Sequence, residues 1–153
     1  MAWFFDLIRN PFLITAFSSW FLAQIIKVIL NFAIHRKVSI ERLFGDGGMP
    51  SGHSATVTAL ATFAGLTFGF GSYQFAVATV LAVIICHDAM GVRLETGKQA
   101  IAINEILRFF QERNLDKLPE ATFKELVGHT PIQVVMGILL GIANGLLMYH
   151  IVL

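Results

Sequence analysis

Residues 47–55 combine a turn rich in glycine and proline with a histidine, in the order Gly-Gly-Met-Pro-Ser-Gly-His-Ser-Ala. An apolar segment follows, and Ser51 is a typical N-cap for a helix that begins there. The backbone N–H groups at such a helix start, those near Ser51 and Gly52, suit an anion such as phosphate. His53 then lies in the first helical turn, directed at that anion. The alternative is a simple loop-to-helix cap.

Two further segments place ionisable side chains at the ends of apolar stretches. Residues 87–93 contain Asp88, which can orient a histidine ring or pair with a cation, and Arg93, whose planar guanidinium can bind phosphate. His129 lies in a Gly-His-Thr-Pro segment directly before another apolar stretch. Ionisable residues at such positions are often functional. The structural alternatives are a surface salt bridge and a histidine at the membrane interface.

Lys27 lies within the first apolar stretch, one to two helical turns before its end. A lysine at that depth needs a partner, and one that faces the interior of a helical bundle is a candidate for function. Its aliphatic stem can instead carry the ammonium group out to the lipid headgroups. Gln24 lies one turn earlier on the same helical face.

The composition favours an integral membrane protein. The chain has 153 residues, of which 56% are hydrophobic and 14% charged, against about 25% charged in an ordinary soluble domain. This length is enough for a single domain, here residues 1–153. The composition excludes a disordered tail, a coiled coil and a basic module that binds nucleic acid. The single cysteine, Cys86, excludes an intramolecular disulfide and a cysteine-based zinc site.

The apolar stretches predict an all-α bundle of four transmembrane helices, each long enough to cross about 30 Å of hydrocarbon at 1.5 Å per residue. Their predicted bounds are residues 12–34, 52–70, 73–90 and 131–153. The two long loops between them are residues 35–51 and 91–130. An amphipathic helix over residues 99–113 is predicted to lie on the membrane surface or cap the bundle, because its apolar residues recur at helical spacing. Residues 1–10, rich in aromatic side chains, are typical of the membrane interface.

The basic residues predict an orientation. Of eleven Lys and Arg residues, only Arg9 lies on the side of the termini, and Lys27 lies within a span. The other nine fall in the two predicted loops: Arg36, Lys37, Arg42, Arg93, Lys98, Arg108, Arg113, Lys117 and Lys124. The positive-inside rule therefore predicts cytoplasmic loops and external termini.

This topology brings the chemical candidates to one side of the membrane. Two histidines (His53 and His129), Asp88, Arg93 and Lys27 then surround a helix N-terminus. Such a set suits phosphoryl transfer, because cations neutralise the phosphate while one imidazole attacks phosphorus and the other protonates the leaving oxygen.

The same segments resemble a known family. The sequence Pro-Ser-Gly-His at residues 50–53 is the central motif of the type 2 phosphatidic acid phosphatase superfamily, which includes vanadium haloperoxidases. The wider pattern resembles its divergent branch of proteins related to acid phosphatases and vanadium-dependent haloperoxidases. It comprises Ala-Gln-x-x-Lys at 23–27, residues 47–55, Asp-Ala-x-Gly-Val-Arg at 88–93 with Gln-Ala at 99–100, and residues 128–131. The resemblance covers nearly the whole chain in order.

The resemblance implies a helical, metal-independent enzyme, without a cofactor, that removes phosphate from lipid phosphates or diphosphates. By position, Lys27 and Arg93 resemble the phosphate-binding residues of the first and third motifs. Ser51, Gly52 and His53 match the second motif, whose histidine protonates the leaving group. His129 resembles the nucleophilic histidine that forms a phosphohistidine.

Several positions depart from the superfamily pattern. Ile34 occupies the position of an arginine, for which Arg36 or Arg42 could substitute. Arg93 and His129 are 36 residues apart, where the superfamily has six. Gln133 replaces the acidic residue that orients the nucleophile, a role that Asp88 could take over.

Three functions follow as hypotheses. The first is a phosphatase of the bacterial inner membrane, with a lipid phosphate in the bilayer as its substrate and a cytoplasmic active site. The second is a catalytically inactive protein of the same fold that binds a phospholipid or assists membrane assembly. The third, a transporter or channel component, is disfavoured because the chain lacks repeated halves. Glycines at 137, 141 and 145 could pack within the bundle or form the face of a homodimer.

Overall fold

The computed structural model describes residues 2–36, 48–112, 123 and 128–152. Within these residues the chain forms six α-helices and no strand. In chain order they are α1 (Ala2–Ile8), α2 (Pro11–His35), α3 (Gly52–Phe68), α4 (Tyr73–Met90), α5 (Val92–Gln111) and α6 (Pro131–Val152). The all-α membrane bundle predicted from the sequence is thereby confirmed. Lys37, Arg42, Gly47, Arg113, Lys117 and Lys124 lie outside the described residues.

Side-chain caps determine where several helices begin. The Asn10 side chain accepts hydrogen bonds from the backbone N–H groups of Phe12 at 2.9 Å and Leu13 at 3.3 Å, and Pro11 occupies the first helical position. Ser72 caps α4 in the same way, through a bond of 3.2 Å from Phe75 N–H. These short polar residues satisfy N–H groups that have no partner inside the helix.

Three stretches are long and apolar enough to cross a membrane: Pro11–Ile34, Tyr73–Phe110 and Pro131–Val152. Helix α3 is shorter, because it ends at Phe68 rather than at residue 70 and has 17 residues. At 1.5 Å per residue it spans about 25 Å, less than the hydrocarbon core of about 30 Å. The count of four complete spans therefore stays a prediction.

Helix α3 lies at the centre of the bundle and packs against α2, α4 and α6. Its buried residues are mostly small, such as Ala55, Ala59 and Ala64, and Phe63 is its largest fully buried side chain. Outward-facing residues of α2, α4 and α6 are apolar and exposed, among them Phe21, Val80 and Leu139. This pattern is the reverse of a soluble protein and suits a helix bundle surrounded by lipid.

Glycines on α6 allow that helix to approach α3 closely. A Cβ atom on Gly137 would lie 2.5 Å from the carbonyl oxygen of Ser51, and one on Gly141 would lie 2.5 Å from that of Ala55. Gly145 continues the row against Thr62. The glycine row is therefore an internal packing surface rather than the face of a homodimer. The contacts also show that α3 and α6 run parallel, with both N-termini at the same end of the bundle.

Polar contacts within the bundle join α2 to its neighbours. Asn144 of α6 donates to the carbonyl oxygen of Thr15 at 3.2 Å and to the Ser18 hydroxyl at 3.0 Å. Ser19 donates to the Ala55 carbonyl oxygen at 3.0 Å. Such bonds add modest stability in a membrane interior and specify the rotation of each helix.

Helix α5 begins at Val92, whereas the sequence predicted a loop from residue 91 and a helix only from residue 99. Only Gly91 separates it from α4. The first turns of α5 are polar, so the spacing of apolar residues does not reveal them. Glu95 and Lys98 form an ion pair at 2.6 Å on the surface of these turns. Asn104 forms two hydrogen bonds of 2.9 Å with the backbone of Phe123 and holds that residue against α5.

Candidate active site

The turn before α3 meets Lys27 of α2. Gly48 has a φ of +97°, and the Met49–Pro50 peptide bond is cis. A Cβ atom on Gly48 would lie 3.8 Å from Cδ of Lys27, so the lysine stem lies against this turn. Lys27 is buried inside the bundle. The lysine and the glycine-proline turn, which the sequence indicated separately, are therefore neighbours.

Ser51 caps α3 as predicted. Its hydroxyl oxygen accepts hydrogen bonds from the backbone N–H of Ser54 at 3.4 Å and from the Ser54 hydroxyl at 3.0 Å. Its own backbone N–H donates to the carbonyl oxygen of Gln133 at 2.9 Å. The N–H of Ser51 is thus already bonded within the protein. The next backbone N–H, that of Gly52, is the better candidate to donate to an anion.

The third segment forms an ion pair at the junction of α4 and α5. Nε of Arg93 lies 2.9 Å from Oδ2 of Asp88, and each side chain is 41% exposed. The pair therefore faces an open region. Because Nε makes this contact, the two terminal nitrogens of the guanidinium group are left to bind another acceptor. Asp88 contacts Arg93 rather than the imidazole of His129.

His129 is held through its backbone and through the glycine before it. Its N–H donates to the carbonyl oxygen of Ala89 at 3.0 Å, and its side chain is almost completely buried. A Cβ atom on Gly128 would lie 2.4 Å from the backbone nitrogen of Leu94, and the φ of Gly128 is +90°. Only glycine allows this approach, which places His129 beside the first turn of α5.

Gln133 determines the tautomer of His129. Its Oε1 accepts a hydrogen bond from the backbone N–H of Thr130 at 3.1 Å, which identifies the oxygen end of the amide. The same oxygen lies 3.3 Å from Nδ1 of His129. Because an amide oxygen only accepts, Nδ1 must carry the proton, and the lone pair of the neutral imidazole is on Nε2. Gln133 thus orients the ring without supplying a negative charge.

The two histidines meet at the starts of α3 and α6. Their ring centroids are 6.1 Å apart, with an angle of 62° between the ring planes. His53 is half-buried, whereas His129 is buried. The N-termini of α3 and α6 both point toward this end of the bundle, so the partial positive charges of two helix dipoles add to those of the nearby cations. The arrangement can bind an anion beside the two imidazoles.

The structure brings the sequence-predicted residues to one end of the bundle through these contacts. The Lys27 side chain lies against the turn before α3, the backbone of Arg93 lies against Gly128 in the turn before α6, and the ring of His53 contacts that of His129. Sequence reasoning missed the part played by backbone atoms, namely the carbonyl oxygen of Ala89 and the chain at Leu94. Alanine and leucine are too common to mark these positions. The one indication in the sequence was Gly128, because a glycine next to a histidine can allow another backbone to approach closely.

Comparison with known proteins agrees with the motifs. A family model described as the Divergent PAP2 family matches residues 8–144. The uncharacterized membrane protein YuiD of Bacillus subtilis strain 168 is 40% identical over 146 residues, which cover 90% of this chain and 92% of that protein. No solved structure matches the chain. The predicted resemblance to a divergent branch of the phosphatidic acid phosphatase superfamily is confirmed, and the chain belongs to the Divergent PAP2 family of multi-pass membrane proteins.

Proposed function

We propose that this protein is a membrane phosphatase that hydrolyses a lipid phosphate or diphosphate through a phosphohistidine intermediate. The observation that carries the proposal is the distance of 6.1 Å between the ring centroids of His53 and His129. One phosphoryl group that lies beside both rings would be within reach of an attacking nitrogen of His129 and a proton donor on His53.

In this proposal, positively charged side chains around the two histidine rings bind the phosphate group of the substrate. The negative charge of the phosphoryl oxygens would be neutralised by the ammonium group of Lys27 and the guanidinium group of Arg93. The backbone N–H of Gly52 would donate a hydrogen bond to one of these oxygens. Ser51 would contribute mainly by capping α3 and holding that N–H in place. Positive charge preorganised in a site shielded from water stabilises the transition state of phosphoryl transfer.

In the first step, Nε2 of His129 attacks phosphorus, and the bond from phosphorus to the leaving oxygen breaks. Protonated His53 gives its proton to that oxygen, so the lipid leaves as an alcohol. The Nδ1–H bond to Gln133 keeps the lone pair on Nε2 before attack. In the second step, neutral His53 removes a proton from water, the water oxygen attacks phosphorus, and the phosphorus–nitrogen bond breaks.

The positive-inside rule supports a cytoplasmic location for this end of the bundle, in the bacterial inner membrane, with both termini outside. The whole chain, residues 1–153, would form one domain. Cys86 is buried, so a cysteine introduced at the exposed Lys98 would be the main target of a maleimide that cannot cross membranes. We expect it to react in inside-out vesicles but not in intact cells, and the reverse result would contradict the orientation.

The test of catalysis compares His53→Asn and His129→Asn with His150→Asn, a control at the exposed far end of α6. In detergent micelles with phosphatidic acid, both site variants should lose phosphate release by about 10²-fold or more, whereas the control should retain it. An aryl phosphate, whose leaving group needs no proton, should partly rescue His53→Asn but not His129→Asn. Full activity in both site variants would contradict the mechanism.

One observation favours the second candidate, a protein that binds a phospholipid without turnover. Gln133 is neutral, so the imidazolium that forms in the transition state would lack the stabilisation of a carboxylate partner. In this case the wild-type protein would bind phosphatidic acid, His129→Asn would weaken binding, and no phosphate release would be measured.

A further inference from the structure

Gln24 is a buried polar side chain on α2 that differs from the other buried polar residues of this helix in its hydrogen bonding. It is 7% exposed, and its Oε1 has no hydrogen-bond partner among the residues that the structure describes. Other buried polar side chains of this helix are satisfied: the Thr15 hydroxyl donates to the Pro11 carbonyl oxygen, and the Ser19 hydroxyl to that of Ala55. An amide carbonyl without a partner in an apolar bundle is destabilising, so a functional reason is expected.

The position of Gln24 relates it to the candidate site. Trp20, Gln24 and Lys27 follow the spacing i, i+4, i+7 and therefore share one face of α2. A Cβ atom on Gly52 would lie 3.4 Å from Cδ1 of Trp20, and one on Gly48 would lie 3.8 Å from Cδ of Lys27. Gln24 lies between these two contacts, at the depth of the turn that begins α3.

We propose that Gln24 is a further substrate-binding residue of this site and that its Oε1 accepts a hydrogen bond from an O–H group of the ligand. The inference rests on the proposed phosphate site. A fully ionised phosphate group offers only acceptors, so it cannot satisfy an amide oxygen. The O–H group must come from a singly protonated phosphoryl group or from an alcohol hydroxyl next to the phosphoester.

The test uses Gln24→Leu, which removes the amide at similar volume, in purified protein in detergent. Without ligand, its Tm should equal or exceed that of the wild type, because an unsatisfied polar group is lost. Its affinity for phosphate at pH 5 or for 1-acylglycerol 3-phosphate, whichever supplies the O–H group, should fall about tenfold, the effect of one lost hydrogen bond. Ser19→Ala is the matched control: it removes a satisfied buried hydroxyl, so it should lower Tm and leave binding unchanged.

Two pairs of probes identify the source of the O–H group. The first pair is inorganic phosphate and sulfate at pH 5, below the second pKa of a phosphate group at about 6. The second pair is 1-acylglycerol 3-phosphate and its propanediol analogue, which lacks the hydroxyl. A protonated phosphoryl donor predicts that Gln24→Leu loses affinity for phosphate but not for sulfate. An alcohol donor predicts that the variant loses only the preference for the glycerol ester.

Wild-type affinities for all four probes in Gln24→Leu would overturn the proposal, as would a lower Tm of the ligand-free variant, since that would reveal a structural partner. Binding is measured without turnover, so the outcome is separable from the proposed hydrolysis. Phosphate binding that depends on Gln24 in a protein without phosphatase activity would support this inference and contradict the enzyme. Failure of the wild type to bind any of the probes would overturn both.

Discussion

The backbone N–H of Ser51 donates a hydrogen bond of 2.9 Å to the carbonyl oxygen of Gln133, and this bond joins the starts of α3 and α6. The side chain of Gln133 also contacts Nδ1 of His129 at 3.3 Å. One residue therefore connects the turn before His53 to the ring of His129. The relative position of the two imidazoles depends on this connection and on the close packing of α6 against α3.

Two replacements of Gln133 should distinguish its effect on the orientation of the His129 ring from the effect of a negative charge beside that ring. Gln133→Leu removes the acceptor for Nδ1–H, and a lost hydrogen bond of about 1.4 kcal/mol corresponds to about tenfold in kcat. Gln133→Glu keeps an acceptor for both Nδ1–H and the N–H of Thr130 and adds a charge that stabilises an imidazolium. We expect kcat for phosphatidic acid to fall in the first variant and to equal or exceed the wild-type value in the second. Wild-type kcat in Gln133→Leu would contradict this role.

Asp88 should act by directing the guanidinium group of Arg93. Asp88→Asn keeps an oxygen for Nε of Arg93 and removes a negative charge from the site, so the affinity for inorganic phosphate should stay the same or increase. Asp88→Ala removes the contact, and the affinity should fall several-fold. Both variants should change the free energy of unfolding by less than about 1 kcal/mol, because the ion pair is exposed.

Isothermal titration with phosphate measures the difference between the two Asp88 variants. Glu95→Ala is the control, since it breaks a more exposed pair, with Lys98, on the surface of α5. Equal phosphate affinities for Asp88→Ala and the wild type would show that Arg93 needs no orienting partner.

Gly128→Ala should destabilise the fold. The added Cβ atom would lie 2.4 Å from the backbone nitrogen of Leu94, at a φ of +90°. Overpacking costs about 1–3 kcal/mol, and the left-handed conformation adds about 1–2 kcal/mol for a residue with a side chain. Gly71→Ala is the control, because nothing lies within 4 Å of its Cβ position. Thermal unfolding in detergent should give a lower Tm for Gly128→Ala only, and equal Tm values would contradict the observed approach.

Gly141→Ala tests whether the glycine row packs within the bundle. Its Cβ atom would lie 2.5 Å from the carbonyl oxygen of Ala55, which predicts a loss of about 1–3 kcal/mol in stability. The molecular mass of the protein particle in detergent, which reports the oligomeric state, should not change. Ala143→Leu adds a larger side chain on the exposed face of the same helix and should change neither property. A lower mass with unchanged stability in Gly141→Ala would instead indicate a dimer interface.

Much of the fold follows from the order of apolar and polar residues. The spacing of apolar stretches predicts helices close to α2, α4 and α6, because a membrane requires long, uncharged segments whose backbone groups are bonded internally. Ser51 as the cap of α3 is equally local, since one side chain satisfies nearby N–H groups. The start of α5 was missed because its first turns are polar and only Gly91 separates them from α4.

The sequence by itself determined the residue types of the site, the motifs that carry the family resemblance and the end of the bundle at which they lie. Tertiary structure decided which of them meet. Asp88 pairs with Arg93 while Gln133 holds His129, and the glycine row packs against α3 rather than against a second copy. Such choices depend on how each helix is rotated and on how closely the helices approach one another. Both are set by the close packing of side chains from distant parts of the chain, which residue order along one helix does not specify.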